Sequence, residues 1–224
     1  MPATVSVIIP CYNEEETIAE CIRKVPDFDW DYEIIVVNDG SGDRTEQVAR
    51  SVNRKSLRVI GYENNKGKGY AVRTGIENAR GKIVVIQDAD MEPEELIPVL
   101  RPIIEGKADF VNGSRMVYPM ERGAMKGMHV FGNRIFALVV SVLVRKRLTD
   151  TLCGTKAFRK DMLKFPLKEN SWPDFELLIK ARKSGMRIAE VPIHYNVRKA
   201  GKSKMKTFRH GYRMAKMLVK SLIM

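Results

Sequence analysis

Short β-branched segments alternate with helical patterns through the first half of this chain of 224 residues. This alternation restricts the possible folds more than any other feature. Strands are predicted at residues 5–9, 33–37, 57–60, 83–87 and 109–112. Strands separated by helices form parallel sheets that are covered by helices on both faces. The sequence therefore predicts an α/β protein with a Rossmann-like, mostly parallel sheet.

The first helix is predicted to begin near Asn13. An asparagine at this position caps a helix, and Glu16 three residues later completes a capping box. The expected buried face of this helix consists of Ile18, Cys21, Ile22 and Val25.

Polar clusters directly follow three of the predicted strands, at residues 10–13, 38–40 and 88–90. The carboxyl ends of parallel strands meet at one edge of the sheet, and ligands bind outside that edge. Asp88 and Asp90 can point to the same side of the chain. Two such carboxylates suit Mg²⁺, which also binds substrate phosphates. A solvated turn is the alternative for a single Asp-x-Asp, but three clusters at one edge favour a nucleotide-diphosphate site.

The formal net charge of +12 comes mostly from the C-terminal segment. Residues 198–224 contain nine Lys or Arg and no Asp or Glu. If residues 205–224 are helical, they form an amphipathic helix with one apolar and one basic stripe. Such a helix favours an anionic membrane surface, although a core-packed helix with a solvated basic face stays open. No basic patch interleaved with aromatic residues is present, so nucleic acid is not an expected partner.

A second apolar segment covers residues 135–144 and precedes Arg145-Lys146-Arg147. It is too short to span a bilayer, which takes about 20 residues. A core helix and a helix resting on the membrane interface are both open. Three cysteines without metal-ligand spacing predict a reduced intracellular protein, and no signal peptide is expected at the N-terminus.

In order along the chain, these clusters resemble the motifs of family-2 glycosyltransferases. The matching segments are residues 7–14, 36–41, 65–69, 75–76, 79–81 and 88–90. The second half is similar to polyprenol-phosphate hexosyltransferases, which include the dolichol-phosphate mannosyltransferases. That similarity is carried by residues 113–115, 133–134, 150–151, 153–154, 191–193, 198 and 201–204.

The resemblance implies a GT-A fold and inverting, metal-dependent transfer of a hexose from a nucleotide-diphosphate sugar to a polyprenyl or dolichyl phosphate. GDP-mannose is the favoured donor, UDP-glucose is possible, and the metal is Mg²⁺ or Mn²⁺. Residues 1–200 would form the catalytic domain, with a nucleotide-sugar half at 1–112 and an acceptor half at 113–200. Residues 201–224 would be the basic amphipathic helix that holds the enzyme peripherally at the cytoplasmic face of the cell membrane.

The resemblance also assigns roles to individual residues. The metal ligands would be Asp90 and Glu92, supported by Asp88; Glu92 stands where the mannosyltransferases usually have Gln. The donor nucleotide would contact Pro10, Tyr12, Glu14, Val37, Asp39, Lys68, Asp88 and Ala89. The catalytic residues would be Asp90, Arg115, Arg134 and Arg198. The acceptor phosphate would be bound by Arg115, Arg134, Arg198, Ser203 and Lys204.

The chemistry of the acceptor separates two enzyme hypotheses. A phosphate monoester is already anionic near neutral pH, so it needs cations to position it rather than a base. A sugar or polysaccharide hydroxyl needs a carboxylate base, for which Asp174 and Glu176 are the candidates. Both acids could instead simply stabilise a helix N-terminus. The three histidines, which have no ligand spacing, are expected to be structural or at the surface: His129, His194 and His210.

Overall fold

The computed structural model describes residues 4–89, 96–118, 127–164, 167–171 and 173–194. Within these ranges, seven strands form one sheet in the order β3-β2-β1-β4-β6-β5-β7. The strands are β1 (Val5–Cys11), β2 (Tyr32–Asp39), β3 (Leu57–Tyr62), β4 (Ile83–Ile86), β5 (Phe110–Ser114), β6 (Lys156–Arg159) and β7 (Ile188–Pro192). The helices are α1 (Ile18–Lys24), α2 (Thr45–Ser51), α3 (Lys68–Asn78), α4 (Leu96–Ile104), α5 (Gly127–Val144) and α6 (Pro173–Lys183).

The first four strands are parallel, as predicted. β1 lies at their centre and pairs with β2 and β4. β6 is antiparallel to both β4 and β5, so the sheet is mixed in its second half. All seven residues of β1 are buried, which explains why its sequence is apolar apart from Ser6 rather than alternating between apolar and polar residues.

Alternate residues of the central strands pack into two separate cores. Val7 and Ile9 face one core together with α1, α2 and α4, whereas Ile8 faces the other together with α3, α5 and α6. Helices therefore cover both faces of the sheet. The predicted α/β fold class is confirmed, and so is the buried face of α1.

The predicted start of the first helix was wrong. α1 begins at Ile18, and its cap position is Thr17. Asn13 instead has a left-handed backbone with φ of 51°, a conformation that asparagine tolerates better than most residues. Its Oδ1 accepts a hydrogen bond from the Gly42 N–H (2.9 Å), and its own N–H donates to Ser41 Oγ (3.0 Å). Asn13 therefore joins the loops that follow β1 and β2.

Helix α5 has one buried and one exposed side. Ala137, Val140 and Val144 pack into the core. Ile135, Leu138, Val139 and Val142 lie on the opposite side with 49, 68, 42 and 69% of their surface exposed. The apolar segment at 135–144 is thus a core helix that also presents an aliphatic surface to solvent. In the described ranges, no helix is long and apolar enough to cross a membrane; the predicted C-terminal helix lies outside them.

Candidate active site

The loops after β1, β2 and β4 come together at the carboxyl edge of the parallel strands. The Glu14 N–H donates to Thr45 Oγ1 (2.7 Å), which adds to the Asn13 contacts between the first two loops. Pro10 is buried and lies opposite Val37 in the β1–β2 register, while Tyr12 is 36% exposed. The structure therefore brings the predicted donor-binding residues of both strands to one edge.

Asp39 organises the turn at residues 65–67. Its carboxylate accepts hydrogen bonds from the Tyr62 hydroxyl (2.7 Å), Asn65 Nδ2 (3.0 Å) and the N–H groups of Lys66 (2.8 Å) and Gly67 (3.0 Å). Burial and the Asp39 carboxylate raise the pKa of Tyr62 well above its usual range, so the phenol stays protonated. The structure thus gives Asp39 a structural task; its contact with a donor base or ribose stays a prediction.

We expect Asp39→Asn to lower the free energy of unfolding by about 1–3 kcal/mol. An amide offers one acceptor oxygen, and its NH₂ group would face backbone N–H donors. Chemical denaturation measures the change. Asp29→Asn, at an exposed position, is the matched control and should leave stability unchanged; an equal loss in both variants would contradict this role for Asp39.

Asp88 follows β4 and forms an ion pair with Lys68 at the start of α3. Lys68 Nζ lies 2.7 Å from Asp88 Oδ1 and 3.0 Å from Oδ2. Burial raises the pKa of Asp88, but the charges of Lys68, Lys156 and Arg115 outweigh this and lower it overall. The carboxylate is therefore anionic.

Gly154 leaves room for the Asp88 carboxylate, because a Cβ atom at this position would collide with it. Since the Asp88 side chain is 24% exposed and carries hard oxygen ligands, it fits a site for Mg²⁺ or Mn²⁺. Asp90 and Glu92, the other predicted ligands, lie outside the described residues. Within the described ranges no group of three or more potential ligand residues is assembled.

Asp174, at the start of α6, lies between two lysines. Its Oδ1 is 3.1 Å from Lys156 Nζ, and its Oδ2 is 3.9 Å from Lys68 Nζ. Lys156 is completely buried and also donates to the Cys153 carbonyl. The sequence did not predict this arrangement, because β6 is only four residues long and has a basic residue at each end, so no strand was expected there.

Glu176 is also engaged by neighbouring groups. It accepts hydrogen bonds from the N–H groups of Lys168 (2.8 Å) and Glu169 (2.8 Å), and it forms an ion pair with Lys180. The residue is 5% exposed. Both acids considered as a catalytic base are therefore held by cations or backbone donors.

Arg115 is bound to a fully buried carboxylate. Its Nε and Nη2 donate to the two oxygens of Asp150 at 2.7 and 3.0 Å, in bidentate geometry. Asn133 Nδ2 donates to the same carboxylate (2.7 Å). Although burial raises the pKa of Asp150, the Arg115 guanidinium lowers it overall. Asp150 therefore fixes the direction of the arginine that the sequence predicted to act on phosphate.

Glu190 supports the same region from β7. Its carboxylate accepts hydrogen bonds from the Thr149 N–H (2.9 Å), the Thr149 hydroxyl (2.8 Å) and Asn112 Nδ2 (3.1 Å). These contacts hold the segment that carries Asp150 against β5 and β7. The sequence assigned no role to Asp150 or Glu190, although Asp150 lies in a segment of the family resemblance.

The predicted acceptor residues do not all meet in the described structure. Arg134 is exposed, on the side of α5 that carries Ile135 and Leu138, whereas its buried neighbour Asn133 reaches Asp150. Arg198, Ser203 and Lys204 lie outside the described residues, as do His210 and the side chain of His129. The ring of His194 stacks on Tyr118 with 4.4 Å between centroids, in agreement with a structural role.

Comparison with known proteins identifies the family. Residues 6–165 match the family model described as Glycosyl transferase family 2. The chain belongs to this family. The glycosyltransferase activity class predicted from the sequence motifs is thereby confirmed.

Curated relatives of this family-2 glycosyltransferase resemble it over most of its length. A protein of Haloferax volcanii named dolichyl-phosphate hexose transferase is 33% identical over 96% of this chain and 92% of its own. A dolichol-phosphate mannosyltransferase of Pyrococcus furiosus is 32% identical over 95% of this chain and 64% of its own. A UDP-N-acetylglucosamine–dolichyl-phosphate N-acetylglucosaminyltransferase of Methanococcus voltae is 31% identical over 84% of this chain and 83% of its own.

A solved structure confirms the GT-A fold. Glucosyl-3-phosphoglycerate synthase from Mycobacterium tuberculosis, crystallised with Mn²⁺, uridine diphosphate and phosphoglyceric acid, superposes with a TM-score of 0.75. The similarity covers 99% of this chain and 78% of that protein at 23% sequence identity. At this identity the match supports the fold alone.

Proposed function

We propose that this family-2 glycosyltransferase transfers a hexose from a nucleotide sugar to a polyprenyl or dolichyl phosphate. The observation that carries the proposal is the position of Asp174 between two lysines, together with the guanidinium of Arg115 nearby in the acceptor half. A site built for a hydroxyl acceptor needs a carboxylate that can take up a proton. In the described site both candidate acids, Asp174 and Glu176, are already bound by lysines or backbone N–H groups, which favours an acceptor that arrives as an anion and needs no base.

The proposed reaction is a single displacement. A phosphate oxygen of the acceptor attacks the anomeric carbon of the sugar, a glycosidic C–O bond forms, and the bond to the nucleoside diphosphate breaks with its electrons. Attack from the face opposite the leaving group inverts the anomeric centre. Arg115, held by Asp150, would orient the acceptor phosphate through its guanidinium.

Charge on the departing diphosphate would be met at the donor edge. Lys68, at the start of α3, supplies one cation there. Asp88, with Asp90 and Glu92, would hold Mg²⁺ or Mn²⁺, and the metal when bound would neutralise charge on the leaving group. Proton transfer is not required, because the acceptor phosphate is anionic near neutral pH.

The sugar and the base are proposed from the names of the relatives. Mannose, glucose and N-acetylglucosamine all occur among the proteins that this chain resembles. We favour GDP-mannose and keep UDP-glucose as the second candidate. A thermal-shift panel of GDP, UDP and their sugars with Mn²⁺ tests the choice, because a bound ligand stabilises the fold by mass action. A shift with UDP compounds only would contradict GDP-mannose.

Transfer to a sugar hydroxyl is the second candidate function. The presence of two acids at the start of α6 favours it. If it were correct, Asp174→Asn or Glu176→Gln would abolish turnover with a hydroxyl acceptor while leaving donor binding intact. Our proposal predicts instead that Glu176→Gln retains transfer to dolichyl phosphate in the fraction that folds.

We propose that the enzyme binds an anionic membrane surface peripherally, on the cytoplasmic face. The exposed aliphatic side of α5, followed by Arg145-Lys146-Arg147, and the basic segment after residue 198 are the contact surfaces. Aliphatic side chains beside cations match the boundary between acyl chains and anionic headgroups.

Flotation with vesicles that contain anionic phospholipid tests this attachment. We expect Leu138→Asn combined with Val142→Asn, and separately a version ending at Lys204, to reduce the floating fraction severalfold. Ile104→Asn, at a position that is 44% exposed on α4, is the control and should float like the wild type. Equal flotation of all forms would remove both surfaces from the account.

A further inference from the structure

Four charged side chains of alternating sign form a continuous row beneath the donor edge: Asp88, Lys68, Asp174 and Lys156. The row runs from the surface into the core. The side chains of Asp88 and Lys68 are 24 and 29% exposed, whereas those of Asp174 and Lys156 are 6 and 0% exposed. Neighbouring members are close enough to interact strongly, since buried charges are poorly screened.

We propose that the ammonium of Lys68 is shared between Asp88 and Asp174, and that it moves toward Asp174 when a divalent cation binds Asp88. Asp174 is then a positioning residue and not a base. The proposal deepens the function proposed above and rests on its assignment of Asp88 to the metal site.

The distances set the starting position of Lys68. Its Nζ contacts both oxygens of Asp88, at 2.7 and 3.0 Å, and lies 3.9 Å from Asp174 Oδ2. A divalent cation at Asp88 would repel this ammonium, because like charges a few ångströms apart interact strongly in a partly buried site. Asp174 offers the displaced ammonium a second carboxylate, so that Lys68 keeps a counter-charge throughout.

Lys156 fixes the direction of Asp174. Its buried Nζ is bound to Asp174 Oδ1 and to the Cys153 carbonyl, which leaves Oδ2 as the oxygen on the Lys68 side. Burying Lys156 without a carboxylate partner would strongly destabilise the fold, and Asp174 at the start of α6 supplies that partner.

If Lys68 is shared between Asp88 and Asp174, the metal and the donor diphosphate should bind cooperatively. Metal ions alone have to displace Lys68 from Asp88. An anionic diphosphate attracts Lys68 away from that carboxylate and so promotes metal binding. By linkage, the metal then promotes diphosphate binding by the same factor.

The test is Mn²⁺ titration of the full chain followed by electron paramagnetic resonance, without nucleotide or acceptor. We expect Lys68→Met to tighten Mn²⁺ binding about tenfold, within the range of coupled charged neighbours. The matched control is Lys66→Met, which removes the same charge from an exposed lysine two residues away that contacts Tyr62 and Tyr70 instead. It should change Mn²⁺ affinity little.

A double-mutant cycle distinguishes sharing from simple electrostatics. Asp174→Asn should weaken Mn²⁺ binding severalfold when Lys68 is present, since Lys68 then stays on Asp88. The same substitution should have little effect in the Lys68→Met background. Glu176→Gln, on the same helix, controls for loss of a buried carboxylate, and circular dichroism confirms that each variant is folded.

Unchanged Mn²⁺ affinity in Lys68→Met would overturn the proposal, and so would an equal effect of Asp174→Asn with and without Lys68. Because Lys68→Met leaves the buried pair of Lys156 and Asp174 intact, unchanged Mn²⁺ affinity in this variant would overturn the proposal even if Asp174→Asn does not fold. Failure of both wild type and Lys68→Met to bind Mn²⁺ would overturn the sharing together with the metal assignment. If the Mn²⁺ affinities of the variants follow the prediction but no sugar is transferred to lipid phosphate, the sharing of Lys68 is supported and only the proposed acceptor is rejected.

Discussion

Replacing Asp150 by alanine is expected to lower the free energy of unfolding by about 3–5 kcal/mol. Asp150 is fully buried and bound to Arg115 through both carboxylate oxygens. Its removal takes away the carboxylate that accepts from two guanidinium nitrogens of Arg115 and from the Asn133 amide. Urea denaturation at neutral pH measures the loss, and transfer activity should fall with it because Arg115 is no longer held in place.

The pH dependence of this effect has a defined sign. The pKa of Asp150 is lowered in the folded protein, so its stabilising contribution is fully present above the ordinary carboxyl pKa of about 4. The contribution declines as the pH falls below that value and through the lower pKa of the folded state. The difference in stability between wild type and Asp150→Ala should therefore be smaller at acidic than at neutral pH.

Asp161→Ala provides the control for Asp150. Asp161 pairs with Arg159, but their side chains are 56 and 47% exposed. A surface ion pair of this kind contributes about 0–1 kcal/mol. If both variants lost the same small amount of stability, the Arg115–Asp150 pair would not have the anchoring role given to it.

Asp88→Asn is expected to reduce kcat by about 10²–10³-fold. The amide keeps the shape of the side chain but removes the charge that pairs with Lys68 and that would hold the metal. The measurement is transfer at saturating donor, with Mn²⁺ or Mg²⁺ present. Asp90→Ala is expected to have a larger effect and to abolish turnover.

A control variant and a binding measurement make the Asp88 prediction specific. Asp29→Asn, at an exposed position away from the sheet edge, should retain full activity. Asp88→Asn should also lose the tightening of donor binding that the metal produces, measured by calorimetry with GDP and UDP. Wild-type turnover in Asp88→Asn would remove this carboxylate from the donor site.

The regular part of the fold was predictable because local sequence determines it. β1 and β2 each contain a short buried apolar run, at residues 7–9 and 34–37, and this composition identifies them as strands. The polar residues that end these strands could be placed at one edge from topology alone. Asp39 and Asp88 were found in this way.

The contacts that orient the site depend on residues far apart in sequence. Asp150 meets Arg115 across 35 positions and Lys156 meets Asp174 across 18; no local pattern marks these pairs. Asn133 and Arg134 show how fine the distinction is. One step along α5 rotates a side chain by about 100°, which separates the buried residue from the exposed one.

The wrong helix start has a similar origin. Asn13 and Glu16 have the spacing of a capping box. In the structure, however, the hydrogen-bond partners of Asn13 are the Gly42 N–H and the Ser41 hydroxyl. A tertiary contact between two loops replaced the local one. Both loops follow strands at the carboxyl edge of the sheet, where the site lies.

Transfer of radiolabelled hexose to lipid tests the central claim most directly. The enzyme is incubated with Mn²⁺, each of the common nucleotide sugars, and either dolichyl phosphate or dolichol. We predict that label enters the organic phase with dolichyl phosphate and not with dolichol, because the anionic phosphate is the nucleophile. Label transferred only to a sugar hydroxyl acceptor, or no lipid-linked sugar with any donor, would contradict the account.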